Sequence, residues 1–164
     1  MLRLTHSSVG GSSSSGRRPR ETLKLKCSDL SATELARRSV EPSALSILGL
    51  VRQMADAERH WFRIVAAGEP TTRRYRSGLD RDGDFSGAVA DPAAVEEAWK
   101  AWGAEVAVVE RLVGGAPDLA MVSNDSRNGP ASLREVLVHM VEEYARHNGH
   151  AELLRERIDG RVGL

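Results

Sequence analysis

The stretch "EVLVHMVEEYARHNGHAEL", residues 135–153, decides how the rest of the chain is read. At about 100° per residue, Val136, Leu137, Met140, Tyr144 and Ala151 fall on one side, and the stripe extends back to Leu133 and on to Leu154 and Ile158. Such a stripe belongs to a long amphipathic helix with one face in a core. Ser132 and Glu135 form a capping box at its start, and Asp159 followed by Gly160 supplies a stop, so the pattern predicts a helix from Leu133 to about Ile158. Two polar residues interrupt the stripe: His147 lies inside it and Glu143 at its edge.

Working outward, Asp91 and Pro92 read as an N-cap and first-turn proline, and Val95, Trp99, Trp102, Val106, Val109 and Val113 continue a second helical stripe that "GGAPD" ends. Further upstream, Pro42 and Ser43 read as the start of a helix carrying Ile47, Leu50, Val51, Met54, Trp61 and Val65, stopped by Gly68 and Pro70. Leu23, Leu30, Leu35 and Ala36 predict one or two short helices broken near Ser28. Residues 69–91, rich in Arg, Gly and Asp, read as a long surface loop of the kind that is often functional, and "MVSNDSRNGPA" as a second loop. No alternating strand pattern and no internal repeat intervenes. The expectation is an all-α four-helix bundle with long connecting loops and a short or truncated first helix.

Composition narrows the function classes. The 164 residues suit one domain, and 23 basic against 23 acidic side chains leave no overall field to draw the protein onto nucleic acid or an anionic membrane. A single cysteine, Cys27, excludes an internal disulfide and a cysteine-cluster metal site, and no apolar run approaches the roughly 18 residues of a transmembrane helix. A cytoplasmic monomer or homodimer acting on a small molecule is expected, with neither nucleic acid nor membrane as partner. Residues 1–20, "MLRLTHSSVGGSSSSGRRPR", are read as a disordered Ser/Gly/Arg-rich tail, with a transit peptide as the lesser alternative, and residues 21–164 as the domain.

Residues four apart on a helix stand one above the other, so Glu143 and His147 can present a carboxylate oxygen and an imidazole nitrogen to one point. Spacing allows two outcomes: a partly buried hydrogen-bonded pair, or half of a metal chelate with His139 and His150 as supporting partners round the same edge.

The strings "LREVLVHMVEEYARHNGHAELLRERIDG", "SILGLVRQMADAERHWFRIVAAGE" and "AWKAWGAEVAVVER" together resemble the DinB-like superfamily of metal-binding four-helix bundles, in its actinobacterial mini-circle protein branch. That branch is similar to the mycothiol-dependent maleylpyruvate isomerases. The resemblance implies a divalent metal, zinc first with nickel or another divalent ion as alternatives, and mycothiol or another low-molecular-weight thiol as cofactor. It assigns Glu143 and His147 as metal ligands, and it places Gln53 where the family pattern has histidine. An amide oxygen is a poorer donor than imidazole for a borderline-soft ion such as zinc. Glu58, in the middle of an apolar stripe, is read as bonded to an arginine or tryptophan, or as a supporting group near the metal.

The implied activity is a metal-dependent thiol transferase or isomerase acting on a small electrophile. The alternative is a non-catalytic bundle with a degenerate metal site, serving as a binding or dimerisation module; catalysis stays open at this point. Two other motifs are weaker. "SATELARRSVEPSALSILGL" has the outline of a helix-turn-helix whose supposed recognition helix offers few basic residues in its first turns to meet phosphates, and "DRDGDFSGAVAD" spaces Asp80, Asp82, Asp84 and Asp91 like a calcium loop but with Phe85 at the glycine position.

Overall fold

A computed structural model describes residues 14–123 and 129–163. The part of the predicted tail before Ser14 and the middle of the "MVSNDSRNGPA" loop lie outside the described residues. The elements in chain order are α1 (Ser14–Cys27), α2 (Ala32–Ala36), α3 (Ile47–Glu58), which continues as a π-helical segment (Arg59–Ala66), α4 (Gly83–Ser86), α5 (Pro92–Gly115), β1 (Val122–Ser123), β2 (Ala131–Ser132) and α6 (Leu133–Asp159). No helix among the described residues is long and apolar enough to cross a membrane.

The local signals explain most helix ends. Ser132 accepts from the backbone N–H of Glu135 while the Glu135 side chain reaches back to Ser132, and Gly160 closes α6 in the left-handed conformation at φ 76°. Asp91 accepts from Ala93 N at 2.9 Å to cap α5. The start of α3 differs from the expectation at Pro42 and Ser43. Ser43 N instead bonds Val40 O at 2.8 Å in a turn, and the buried Ser46 Oγ caps the helix through Gly49 N at 3.1 Å. The first helix also begins earlier than a boundary at residue 21, and tertiary contacts hold its second turn. Pro19 O accepts from Asn148 Nδ2 at 2.9 Å, and Arg20 Nε donates to Glu58 at 2.8 Å. A two-residue antiparallel ribbon, β1 with β2, leads into α6; sequence periodicity cannot register so short a pairing.

Contacts between helices fix their directions. Arg52 lies 4.0 Å from Glu97 and Arg59 lies 2.8 Å from Glu105, so α3 and α5 run parallel. Asn148 meets Pro19 and Arg155 meets Lys26, so α1 and α6 also run parallel. Tyr144 on Glu58 and His139 on Trp61 make α6 antiparallel to α3. The order is up-down-down-up. Successive helices pointing the same way cannot be joined by a tight turn, so the chain must travel back along the bundle between α3 and α5. That requirement accounts for the long loop over 69–91.

The core fills the space between the four long helices, with Leu50, Met54, Phe62, Ala98, Trp102, Val136, Met140, Tyr144 and Leu154 all buried. Arg155, 1% exposed, is the largest of the fully buried side chains. It donates to the carbonyls of Lys26 at 2.9 Å and Ser28 at 2.6 Å, capping the C-terminus of α1, and bonds Asp159 at 2.9 Å.

The crossover loop is pinned to α3 and its π-helical continuation. Buried Asp56 accepts from three successive backbone amides, Arg74 N at 2.5 Å, Tyr75 N at 3.0 Å and Arg76 N at 2.9 Å. Arg59 holds Thr72 O at 2.7 Å and Thr71 Oγ1 at 2.5 Å, and Arg52 holds Asp84 O at 2.8 Å and Gly83 O at 2.9 Å. Gly83 is required there, since a Cβ would stand 2.1 Å from Tyr75 O. The acidic residues with calcium-loop spacing disperse into separate tasks. Asp80 accepts from Asp82 N and Ser86 Oγ, Asp84 is buried 3.7 Å from Arg76, and Asp91 caps α5. Residues 37–46 separate α2 from α3, too long a connection for the tight turn of a helix-turn-helix.

Candidate functional site

The helical repeat of α6 delivers Glu143 and His147 to one another. His147 Nε2 lies 3.2 Å from Glu143 Oε2, with the two side chains 7% and 15% exposed. The other carboxylate oxygen, Oε1, accepts from Arg146 Nη1 at 3.0 Å and lies 3.7 Å from His139 Nε2. His139 stacks on Trp61 with centroids 4.3 Å apart, and the His150 ring lies 5.5 Å from that of His147. All four α6 residues singled out in the sequence thus stand along one edge of the helix, against the π-helical continuation of α3.

Gln53 lies on α3, about two turns before Trp61 on which His139 stacks, so it belongs to the helix that packs against this edge. Its Oε1 is buried without a hydrogen-bond partner, and so are Nδ1 of His147 and Nδ1 of His150. Buried acceptors left without donors cost free energy unless something else supplies the positive end.

Electrostatics define what the Glu143–His147 contact can hold. Burial pulls His147 below the ordinary imidazole range against the opposing pull of the Glu143 carboxylate, so the ring favours its neutral form. A lone pair on Nε2 facing Oε2 at 3.2 Å would be repulsive, so a proton or a cation must sit between them. Two donors about 2.0–2.2 Å from a tetrahedral zinc lie roughly 3.3–3.6 Å from each other, close to the separation observed. Glu143 and His147 therefore offer two donors that a divalent cation could bridge. Among the described residues no three His, Cys, Asp or Glu side chains are grouped to hold one, and the third donor is an amide. A metal on Nε2 would also leave the His147 N–H at Nδ1 without the acceptor that usually supports such a ligand.

Glu58 belongs to a different network. Its Oε1 accepts from Tyr144 Oη at 2.7 Å and from Arg20, whose Nε and Nη2 each lie at 2.8 Å; Trp102 Nε1 donates to Tyr144 Oη at 2.8 Å. Burial raises the Glu58 carboxyl above its usual range, with Arg20 and Tyr144 restraining the rise. This chain ties α1, α3, α5 and α6 together behind the Glu143 edge. The arginine partner expected for Glu58 is thus present, supplied by the residue at the end of the segment read as tail.

One half-buried residue of the crossover loop had no motif to announce it. Arg73, from the crossover loop, feels the charges of Asp56, Asp84 and Glu143 and is partly buried. The signal available in the sequence was general: an arginine-rich run, "TTRRYR", inside a long loop.

With this geometry in hand, comparisons place the chain among known proteins. The family model for mycothiol-S-transferase matches residues 17–160. A solved structure, that of a conserved protein from Enterococcus faecalis, superposes with a TM-score of 0.59 at 16% identity, covering 90% of this chain and 94% of that one. At that identity the likeness concerns the fold, which is the DinB-like bundle expected from the sequence. No curated protein matches the sequence. The family model spans both helices of the Glu143–His147 edge and the crossover loop between α3 and α5, and the chain belongs to the mycothiol-S-transferase family.

Proposed function

We propose that this chain is a thiol transferase that uses mycothiol, or a closely related low-molecular-weight thiol, and joins it to a small electrophile along the edge formed by α6, α3 and the crossover loop. The observation that carries this reading is the partly buried Glu143–His147 pair on α6 in a chain of this family, with Gln53 Oε1 buried without a hydrogen-bond partner on α3. Glu143 and His147, with Gln53 as the weak third donor, would hold a divalent cation, zinc before nickel or another ion. Bound there, such an ion would lower the pKa of a coordinated thiol.

The protein's own groups serve the reaction as follows. The thiol S–H proton passes to Glu143 Oε1, the carboxylate oxygen that the ion would leave free, and the sulfur forms its bond to the electrophilic carbon. A leaving group departs with the electron pair of the broken bond, or the substrate takes back the proton from Glu143. His139 and His150 flank the pair, His139 fixed by Trp61. Glu58 acts at a distance, because Tyr144, which it holds, is the neighbour of Glu143 in α6. A soluble, cytoplasmic monomer or homodimer that binds neither nucleic acid nor membrane completes the reading.

The test is the rate of mycothiol conjugation to monochlorobimane, a fluorogenic electrophile, by tag-free protein with and without added zinc or nickel. His147→Ala and Glu143→Gln should each lower the rate at least a hundredfold, within the range usual for loss of a positioned acid–base group. A rate indistinguishable from that of thiol and electrophile alone, with every ion, would leave a non-catalytic binding module as the better reading. Gln53 in place of the family's histidine is the observation that favours that second reading.

A further inference from the structure

The side of α6 that turns away from the core is not built like a solvent face. Opposite Val136, Met140, Tyr144 and Ala151, the helical repeat lines up Val138, Val141, Ala145, Gly149 and Leu153, all of them exposed. Val138, Val141 and Leu153 keep 55%, 42% and 59% of their surface in solvent. Single apolar side chains on a surface are ordinary, whereas a continuous apolar row on the outer side of a helix that already gives its inner side to the core marks a contact surface.

Gly149 is a second, independent observation. Inside a helix, glycine costs about 1 kcal/mol against alanine, and here a Cβ would meet nothing within 4 Å. The chain's own packing does not require this glycine, and what it offers on a helix surface is room for another backbone to come close. Gly103 of α5 is equally open, but the exposed residues along its face, Glu96, Lys100 and Glu110, are charged.

The charges around the row select the occupant. Arg134 stands at one end, Glu156 at the other and Glu142 on one flank; all three are exposed, and among the described residues none of their side chains has a hydrogen bond or ion pair. A second α6 laid antiparallel on the first, with a two-fold axis at Ala145, brings Arg134 level with Glu156 of the second copy and Val141 level with its Gly149, because each pair is evenly spaced about Ala145. Arg146 and Glu142 of the second copy then fall on the same flank within one turn. Every contact is made twice, as a two-fold interface requires. A parallel arrangement would instead set Arg134 against Arg134 and Glu156 against Glu156.

We propose that the outer face of α6 is a dimer interface, packed antiparallel against the same face of a second copy of this chain. The proposal does not rest on the transferase reading. Arg146, which bonds Glu143 Oε1 at 3.0 Å, is where the interface adjoins the candidate site.

The experiment is sedimentation equilibrium of the full chain over a concentration series, with far-UV circular dichroism as the control for folding. A reversible dimer is expected. Ala145→Arg, which sets like charges on the two-fold axis, should abolish it and leave the helical signal unchanged. Arg134→Glu should weaken association about tenfold, since two repulsive contacts replace two attractive ones, and adding Glu156→Arg should restore it. This charge swap decides the matter should Ala145→Arg fail to fold. Ala145→Cys should give a disulfide-linked dimer on oxidation, and Gly103→Cys should not. A chain that stays monomeric throughout the series, or a dimer that a folded Ala145→Arg leaves intact, would overturn the proposal. So would failure of Glu156→Arg to rescue Arg134→Glu.

Discussion

Replacing Arg20 by Met tests whether the N-terminal half of α1 belongs to the bundle, and the size of the effect can be worked from one buried carboxylate. Glu58 is 0% exposed, and Arg20 supplies two of its three donors at 2.8 Å. Met keeps much of the aliphatic stem and removes the charge. Breaking a buried pair usually costs about 3–5 kcal/mol, because the remaining charge is stranded. Here the carboxyl has an escape: it can take up a proton. From its ordinary value near 4.5, neutralising it at pH 7 costs about 3.4 kcal/mol at roughly 1.4 kcal/mol per pH unit. That sets the scale of the loss at neutral pH. At pH 5 the same escape costs only about 0.7 kcal/mol.

The sign follows from linkage. In the variant the folded-state pKa of Glu58 lies further above its unfolded value, so the folded state binds more protons, and stability falls as pH rises from about 4.5 towards the folded pKa. The deficit against the unaltered protein should therefore grow from under about 1 kcal/mol at pH 5 to about 3 kcal/mol at pH 7. For a domain of this size that is roughly 2 °C and 6–12 °C in Tm. Urea unfolding at both pH values, followed by far-UV circular dichroism, measures it. Equal deficits at the two pH values would mean that Arg20 contributes packing and not charge. No deficit at pH 7 would place α1's first turns outside the cooperative unit.

Three further outcomes are expected. Tyr144→Phe removes the hydroxyl that donates to Glu58 at 2.7 Å and leaves Trp102 Nε1 buried without an acceptor; the loss should be about 2–4 kcal/mol in urea unfolding, and a change under about 0.5 kcal/mol would contradict the network. If Gln53 on α3 is the third donor, Gln53→His replaces an amide oxygen by an imidazole, so zinc affinity by calorimetric titration should rise at least tenfold; a folded variant with unchanged affinity would remove Gln53 from the site. Asp56→Ala frees the amides of Arg74, Tyr75 and Arg76. Hydrogen exchange at those residues should accelerate while α6 stays protected; unchanged exchange would show that Arg52 and Arg59 suffice to hold the loop.

What the sequence determined by itself is local. The capping box at Ser132, the Asp91–Pro92 start of α5 and the Gly160 stop of α6 depend on residues within one turn of each other, and all stand where the sequence placed them. The Glu143–His147 contact was legible for the same reason, since a separation of four residues is one helical turn. Tertiary structure decided what depends on residues distant along the chain. Pro42 and Ser43 looked like a helix start, but burial of Ser46 moved it. Residues 14–20 read as tail because nothing near them in sequence stabilises a helix; their partners are Asn148 and Glu58, which only the folded bundle brings alongside. Helix direction was equally hidden: periodicity specifies which face is apolar and says nothing of which way a helix points. From the up-down-down-up order follow the crossover and its anchoring on Asp56, because two successive parallel helices leave the chain a length to cover that only contacts made by the folded bundle can hold in place.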